Sequence, residues 1–226
     1  MDRKTLIPFA LAALLAAAGC TRSDTRSQPK AADSPAKSSA AQPGLTIGET
    51  IPMANREMKS VNGSMVSIAS VKGEKGTLVI FTCNHCPYVK AWQDRTVSLA
   101  NQALKDGFGV IAINPNDPAA YPEDDFEGMV IRANAQKMNY PYVMDATSEV
   151  ARVFGATRTP EIYLFDASDH LVYHGAVDDN ARSAKDVSEH YLRDALNAVA
   201  NGEQIAKPET RSVGCSIKLR KVGAGS

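Results

Sequence analysis

The alternation of apolar and polar positions divides this chain into strand and helix segments in turn. Residues 77–82 form a short, nearly continuous apolar run, which predicts a strand buried on both faces. Beyond it Val89, Trp92, Leu99, Ala100 and Ala103 recur at helical spacing, predicting a helix from Pro87 to about Leu104. Pro87 suits the first turn, where a missing N–H costs least, and Asp106-Gly107 ends the helix. Residues 109–114 are a second strand, so strand, helix and strand make a right-handed parallel crossover. Residues 115–125, with three prolines and several acids, read as a loop. A helix around Phe126–Met138, a short strand at 142–145 and a short helix at 148–154 follow, the last closed by Gly155. Residues 161–166 and 171–177 pair as an antiparallel hairpin. Ser183 and Asp186 have capping-box spacing, predicting a final helix with Val187, Tyr191, Ala195 and Val199 on one face and Asn201-Gly202 as its stop. A mixed sheet with helices on both faces is the expected architecture.

The chemistry lies where the first buried strand meets its helix. Cys83 and Cys86 stand there with two residues between them. Two thiols so spaced can close and reopen a small disulfide, and a helix start favours the reactive thiolate. Cys83 is read as the nucleophile and Cys86, one turn further on, as the resolving thiol. The alternatives are a structural disulfide and half of a zinc site, but a zinc ribbon wants a second cysteine pair, which is absent. His85 lies between the thiols. It either stabilises the Cys83 thiolate or is an exposed turn residue. Cys215 is the odd thiol: a third redox cysteine, a free one, or half of a dimer link.

Composition narrows the setting. The chain has 226 residues, with 25 basic and 25 acidic side chains, so no electrostatic case for a nucleic-acid partner exists. Arg3 and Lys4 precede an apolar run from Leu6 to Ala18. As a helix that run spans roughly 20 Å, short of the ~30 Å hydrocarbon core, which favours a signal peptide over a membrane span. Its end, Ala16-Ala17-Ala18-Gly19-Cys20, resembles the bacterial lipoprotein signal, which implies cleavage after Gly19 and a lipid on Cys20. The expected organisation is therefore a signal at 1–19, a flexible tether at 20–44, a redox domain at 45–202 and a tail at 203–226 carrying Cys215. Thr21 is not the aspartate that resembles an inner-membrane retention signal, so the expected location is the periplasmic side of a bacterial membrane, leaning to the outer one. Disulfides persist in such an oxidising compartment.

The cysteine pair at the end of a central strand, with Thr159-Pro160 directly before another strand, resembles the thioredoxin fold. Residues 45–72, including Asn62-Gly63, resemble the N-terminal hairpin of its peroxiredoxin-related branch. Cys83-Asn84-His85-Cys86-Pro87-Tyr88, Asp178-Asp179-Asn180 and residues 213–218 together resemble a peroxiredoxin-like, redoxin-type family of the alkyl hydroperoxide reductase/thiol-specific antioxidant superfamily. The resemblance implies a three-layer α/β/α sandwich with an N-terminal hairpin extension and a cis Pro160 beside the thiols. It implies thiol–disulfide exchange with a protein thiol or disulfide partner, and no cofactor or resident metal. Peroxide reduction and Cu(I) carriage by the pair with His170 or His174 are the other functions it leaves open. Two departures stand out. Thr77 occupies the position of the buried acid that many thioredoxins carry, leaving Glu161 as a weak substitute better read as an edge-strand surface residue. Pro160 appears where peroxiredoxins place an arginine. The acids Glu123, Asp124, Asp125 and Glu127 are expected to be a solvated loop and helix start.

Overall fold

The computed structural model describes residues 44–221; the signal peptide, Cys20 and most of the tether lie outside them. Among the described residues no helix is long and apolar enough to cross a membrane. A hairpin comes first, β1 (Met58–Ser60) and β2 (Met65–Val66). Its turn uses Gly63 at φ +89°, with Asn62 Oδ1 accepting from the Ser64 N–H at 3.0 Å. Then follow β3 (Gly76–Phe81), α1 (Pro87–Lys105), β4 (Gly109–Asn114), α2 (Phe126–Ala135), β5 (Tyr142–Met144) and α3 (Glu149–Phe154). The chain ends with β6 (Arg158–Thr159), β7 (Glu161–Asp166), β8 (Leu171–Gly175), α4 (Tyr191–Asn201) and β9 (Cys215–Ser216).

Seven strands make one sheet in the order β2-β1-β5-β4-β3-β7-β8, while β6 and β9 form a separate antiparallel ladder. β3 runs parallel to β4, and β4 to β5; the other pairings are antiparallel. Side chains alternate across β3, as the pleat requires. Leu78 and Ile80 join Trp92 and Ala100 of α1, Met129 of α2, and Leu192 and Ala195 of α4 on one face. Val79 and Phe81 join Val150, Ala151 and Phe154 of α3 on the other. All six β3 residues are buried, which is why the run reads as continuously apolar. The result is a thioredoxin-like α/β/α sandwich with a mixed sheet and an N-terminal hairpin.

Three expectations need correction. The last helix starts at Tyr191, and Ser183 makes no capping bond; only a 3-10 turn spans Ala184–Asp186. Local side-chain bonds win there: Asn180 Oδ1 accepts from the Arg182 and Ser183 N–H groups, each at 3.0 Å, and Asp179 accepts from the Ser188 N–H at 3.1 Å. α2 stops at Ala135, with Lys137 at φ +53° turning the chain away from the helix. Glu161 is not on an edge: β7 lies between β3 and β8, and Glu161 is 2% exposed.

Candidate active site

β3 delivers Cys83 just past its end, and α1 begins at Pro87. Cys86 is therefore the helix N-cap, in extended conformation at φ −62° and ψ 124°, with Pro87 as the first helical residue. This corrects the expectation that the helix start serves Cys83. Cys86, not Cys83, occupies the terminus. The helix start accordingly favours ionisation of Cys86. The neighbouring Cys83 thiol, the Cys215 thiol and the Val89 and Cys215 backbone N–H groups hold Cys86 below the ordinary thiol range against the cost of burial. Cys83 is pushed well above that range, first by its hydrogen bond with Cys86, then by burial and by the negative charge of Asp124.

The opposite wall is the segment before Pro160. The Thr159–Pro160 peptide is cis, and both residues are buried. Thr159 meets both thiols: its Oγ1 lies 3.1 Å from Cys83 Sγ, and its carbonyl accepts from Cys86 Sγ at 3.2 Å. Glu161 fastens this segment. Its Oε2 accepts from the Thr157 and Arg158 N–H groups, each at 2.8 Å, while Oε1 meets His174 Nε2 at 2.8 Å. His174 is thus engaged away from the sulfurs, and His170 sits at the β7–β8 turn near Asp166. Thr77 is buried, and its hydroxyl has no hydrogen-bond partner among the described residues.

Cys215 belongs to this site rather than to a loose tail. β9 pairs with β6, setting Cys215 opposite Thr159 and Cys215 Sγ 2.8 Å from Cys86 Sγ. Gly214 makes the approach feasible, since a Cβ there would meet the Thr159 carbonyl oxygen at 2.1 Å. Further anchors hold the segment. Ile217 N–H donates to the Thr157 carbonyl at 3.0 Å, and Lys218 N–H to Asn116 Oδ1 at 2.8 Å. Cys83 and Cys86 are each 0% exposed beneath it, and Cys215 is partly exposed.

His85 turns toward a carboxylate that the sequence hides in an acidic stretch. Asp124 is 0% exposed, contrary to the expected solvated loop. It accepts from His85 Nδ1 at 2.6 Å, Asn116 Nδ2 at 2.7 Å, and the Asn84 and His85 N–H groups at 2.6 and 3.2 Å. Asp125 caps α2 through the Gly128 N–H at 2.7 Å, and the exposed Glu127 stands in the first turn of that helix, as expected. The His85 ring stacks on Tyr121, with centroids 3.7 Å apart and planes 3° off parallel. Cys83, His85 and Asp124 offer ligand atoms that all lie within 4.8 Å of one another. Both carboxylate oxygens already receive N–H donors, so Asp124 fixes the loop between the cysteines and the imidazole above it. Asn116 joins this network to the segment carrying Cys215. Asn116 carried no reading in the sequence, Asp124 only that of a solvated acid, and Gly214 and Thr159 only their places in the motifs around Cys215 and Pro160.

Comparison with known proteins agrees with this fold. A family model described as Redoxin matches residues 46–191. A conserved protein of Geobacillus kaustophilus is similar at 36% identity and a TM-score of 0.73, covering 77% of this chain and 93% of that one. A hypothetical protein of Sinorhizobium meliloti 1021 is similar at 33% identity and a TM-score of 0.73, covering 81% and 98%. A secreted disulfide oxidoreductase of Mycobacterium tuberculosis shares the fold at 15% identity and a TM-score of 0.50, covering 65% and 97%. No curated protein matches.

Proposed function

The chain belongs to the redoxin family, and from that premise we propose that it is an extracytoplasmic thiol–disulfide oxidoreductase working through Cys83 and Cys86. The observation that carries the reading is the buried thiol pair at the junction of β3 and α1, faced by Thr159. Cys86 becomes the attacking thiolate once it gives up the proton it donates to the Thr159 carbonyl. It attacks a disulfide, and Cys83 then attacks Cys86 Sγ to release the reduced partner and leave a Cys83–Cys86 disulfide. The Thr159 hydroxyl is placed to hydrogen-bond Cys83 as its proton leaves. Asp124 and His85 hold the intervening loop. The partner is a protein thiol or disulfide. The lipoprotein-like N-terminus supports a lipid-anchored position on the periplasmic side, where a disulfide exchanger would find oxidised substrates.

One observation favours a second reading. A cysteine at the N-cap of a long helix, three residues after Cys83, also suits a peroxide-attacking thiol. Replacing Cys86 by Ser separates the two from inert thiols, and replacing Cys83 by Ser separates them from each other. In C83S that also carries Cys215→Ser, an exchange enzyme traps its partner on Cys86 as a mixed disulfide. A peroxidase instead forms a sulfenic acid at Cys86 on treatment with peroxide. If equilibration with a glutathione buffer never yields an intramolecular disulfide in the wild type, the exchange reading fails.

A further inference from the structure

We propose that Cys215 is the exchange thiol through which an external protein reaches the buried pair, so that Cys86 is shared between two disulfides, Cys83–Cys86 and Cys86–Cys215. This rests on the dithiol reading above and extends it. Three observations carry it. With β9 docked, Cys83 and Cys86 are each 0% exposed, so a folded partner meets Cys215 first. Cys215 Sγ lies 2.8 Å from Cys86 Sγ, an intramolecular approach that replaces a bimolecular encounter. The placement is built, not incidental. β9 pairs in register with the segment facing the thiols, and Gly214 packs where no side chain fits.

The relay balances without any outside reagent beyond a protein disulfide. The Cys215 thiolate attacks the partner disulfide, forming a mixed disulfide and releasing one partner thiolate, which takes a proton. The Cys86 thiolate attacks Cys215 Sγ, forming Cys86–Cys215 and releasing the second partner thiolate. Cys83, losing its proton, attacks Cys86 Sγ, forming Cys83–Cys86 and returning Cys215 as a thiol. Two electrons pass from the Cys83/Cys86 pair to the partner, the Cys83 proton replaces the one Cys215 gave up, and the second partner thiolate takes its proton from solvent, so Cys215 ends unchanged. Run backwards, the same steps oxidise a partner dithiol.

The test uses the full chain oxidised with diamide, alkylated and digested with trypsin. Cys83 and Cys86 fall in one peptide, Gly76–Lys90, and Cys215 in another, Ser212–Lys218. The wild type is expected to give both the internal disulfide of the first peptide and a cross-link between the two. In C83S the cross-link becomes the dominant oxidised species. Gly214→Val retains all three thiols but forces β9 off Thr159. It is expected to keep the internal disulfide and lose at least tenfold of the cross-link. Reduction of insulin by dithiothreitol-charged protein is expected to slow about tenfold in C215S. The proposal is overturned if Cys215 is fully alkylated in oxidised C83S, or links only to a second chain, while wild type still closes Cys83–Cys86. If wild type closes neither bond, the dithiol reading itself falls, and the relay with it.

Discussion

Replacing Asp124 by alanine removes the acceptor on which the loop between the cysteines hangs. The carboxylate is fully buried and receives His85 Nδ1, Asn116 Nδ2 and two backbone N–H groups. Leaving a buried donor unpaired costs about 1–3 kcal/mol, and each hydrogen bond to a carboxylate is itself worth about 1.5–3 kcal/mol. These are not additive, because the His85 side chain is 8% exposed and water can reach part of the gap. The expected loss is about 3–5 kcal/mol, read as a lowered urea midpoint of the reduced protein with little change in slope. At roughly 2–4 °C per kcal/mol for a domain of this size, the melting temperature should fall by about 6–20 °C. Asp124→Asn keeps the volume and one acceptor oxygen, so it should lose less. A second readout is chemical. Asp124 is one of the influences raising the Cys83 thiol, so its removal should shift Cys83 toward easier ionisation. A destabilisation of D124A below about 1 kcal/mol would refute the claim that this carboxylate organises the site.

Other outcomes follow from the same geometry. In the reduced protein, thiolate ultraviolet absorbance should persist below the ordinary thiol range, because Cys86 is lowered, and should disappear as pH falls through the Cys86 midpoint. C86S should abolish that low transition, whereas Cys83→Ala should move it upward by removing the largest cause of the lowering. Glu161→Ala should cost about 2–4 kcal/mol in urea unfolding, since it strands the Thr157 and Arg158 N–H groups and His174; an unchanged midpoint would contradict the fastening role. Phe154→Ala should cost about 3–5 kcal/mol, because the ring is fully buried edge-on to Phe81 and Tyr163.

Much of the scaffold was legible because its signals are local. The apolar run of β3, Gly155 after Phe154 and Asn62-Gly63 each state a backbone preference within a few residues, and all three stand as expected. The site was legible only where it is contiguous, at Cys83, His85 and Cys86. Asp124 was not, because its burial depends on Asn84 and Asn116 closing over it, while its neighbours Glu123 and Asp125 are exposed. The cysteine at the helix start was misplaced by three residues because a helix boundary cannot be fixed from spacing alone when either cysteine could precede it. Cys215 was left undecided because a two-residue strand has no periodicity, and its partner lies 56 residues earlier in the chain, at Thr159.

That short ladder also sets a clock. β3 is buried along its whole length between two long strand pairings, so its amides exchange with solvent only on near-global opening. The β6–β9 ladder holds two residue pairs and can open locally. Cys83 and Cys215 thus belong to units of very different lifetime, although Cys86 touches both. Hydrogen exchange should find residues 214–217 labelling long before residues 77–81. The frequency of that local opening, rather than the stability of the domain, would then govern how often Cys86 is uncovered.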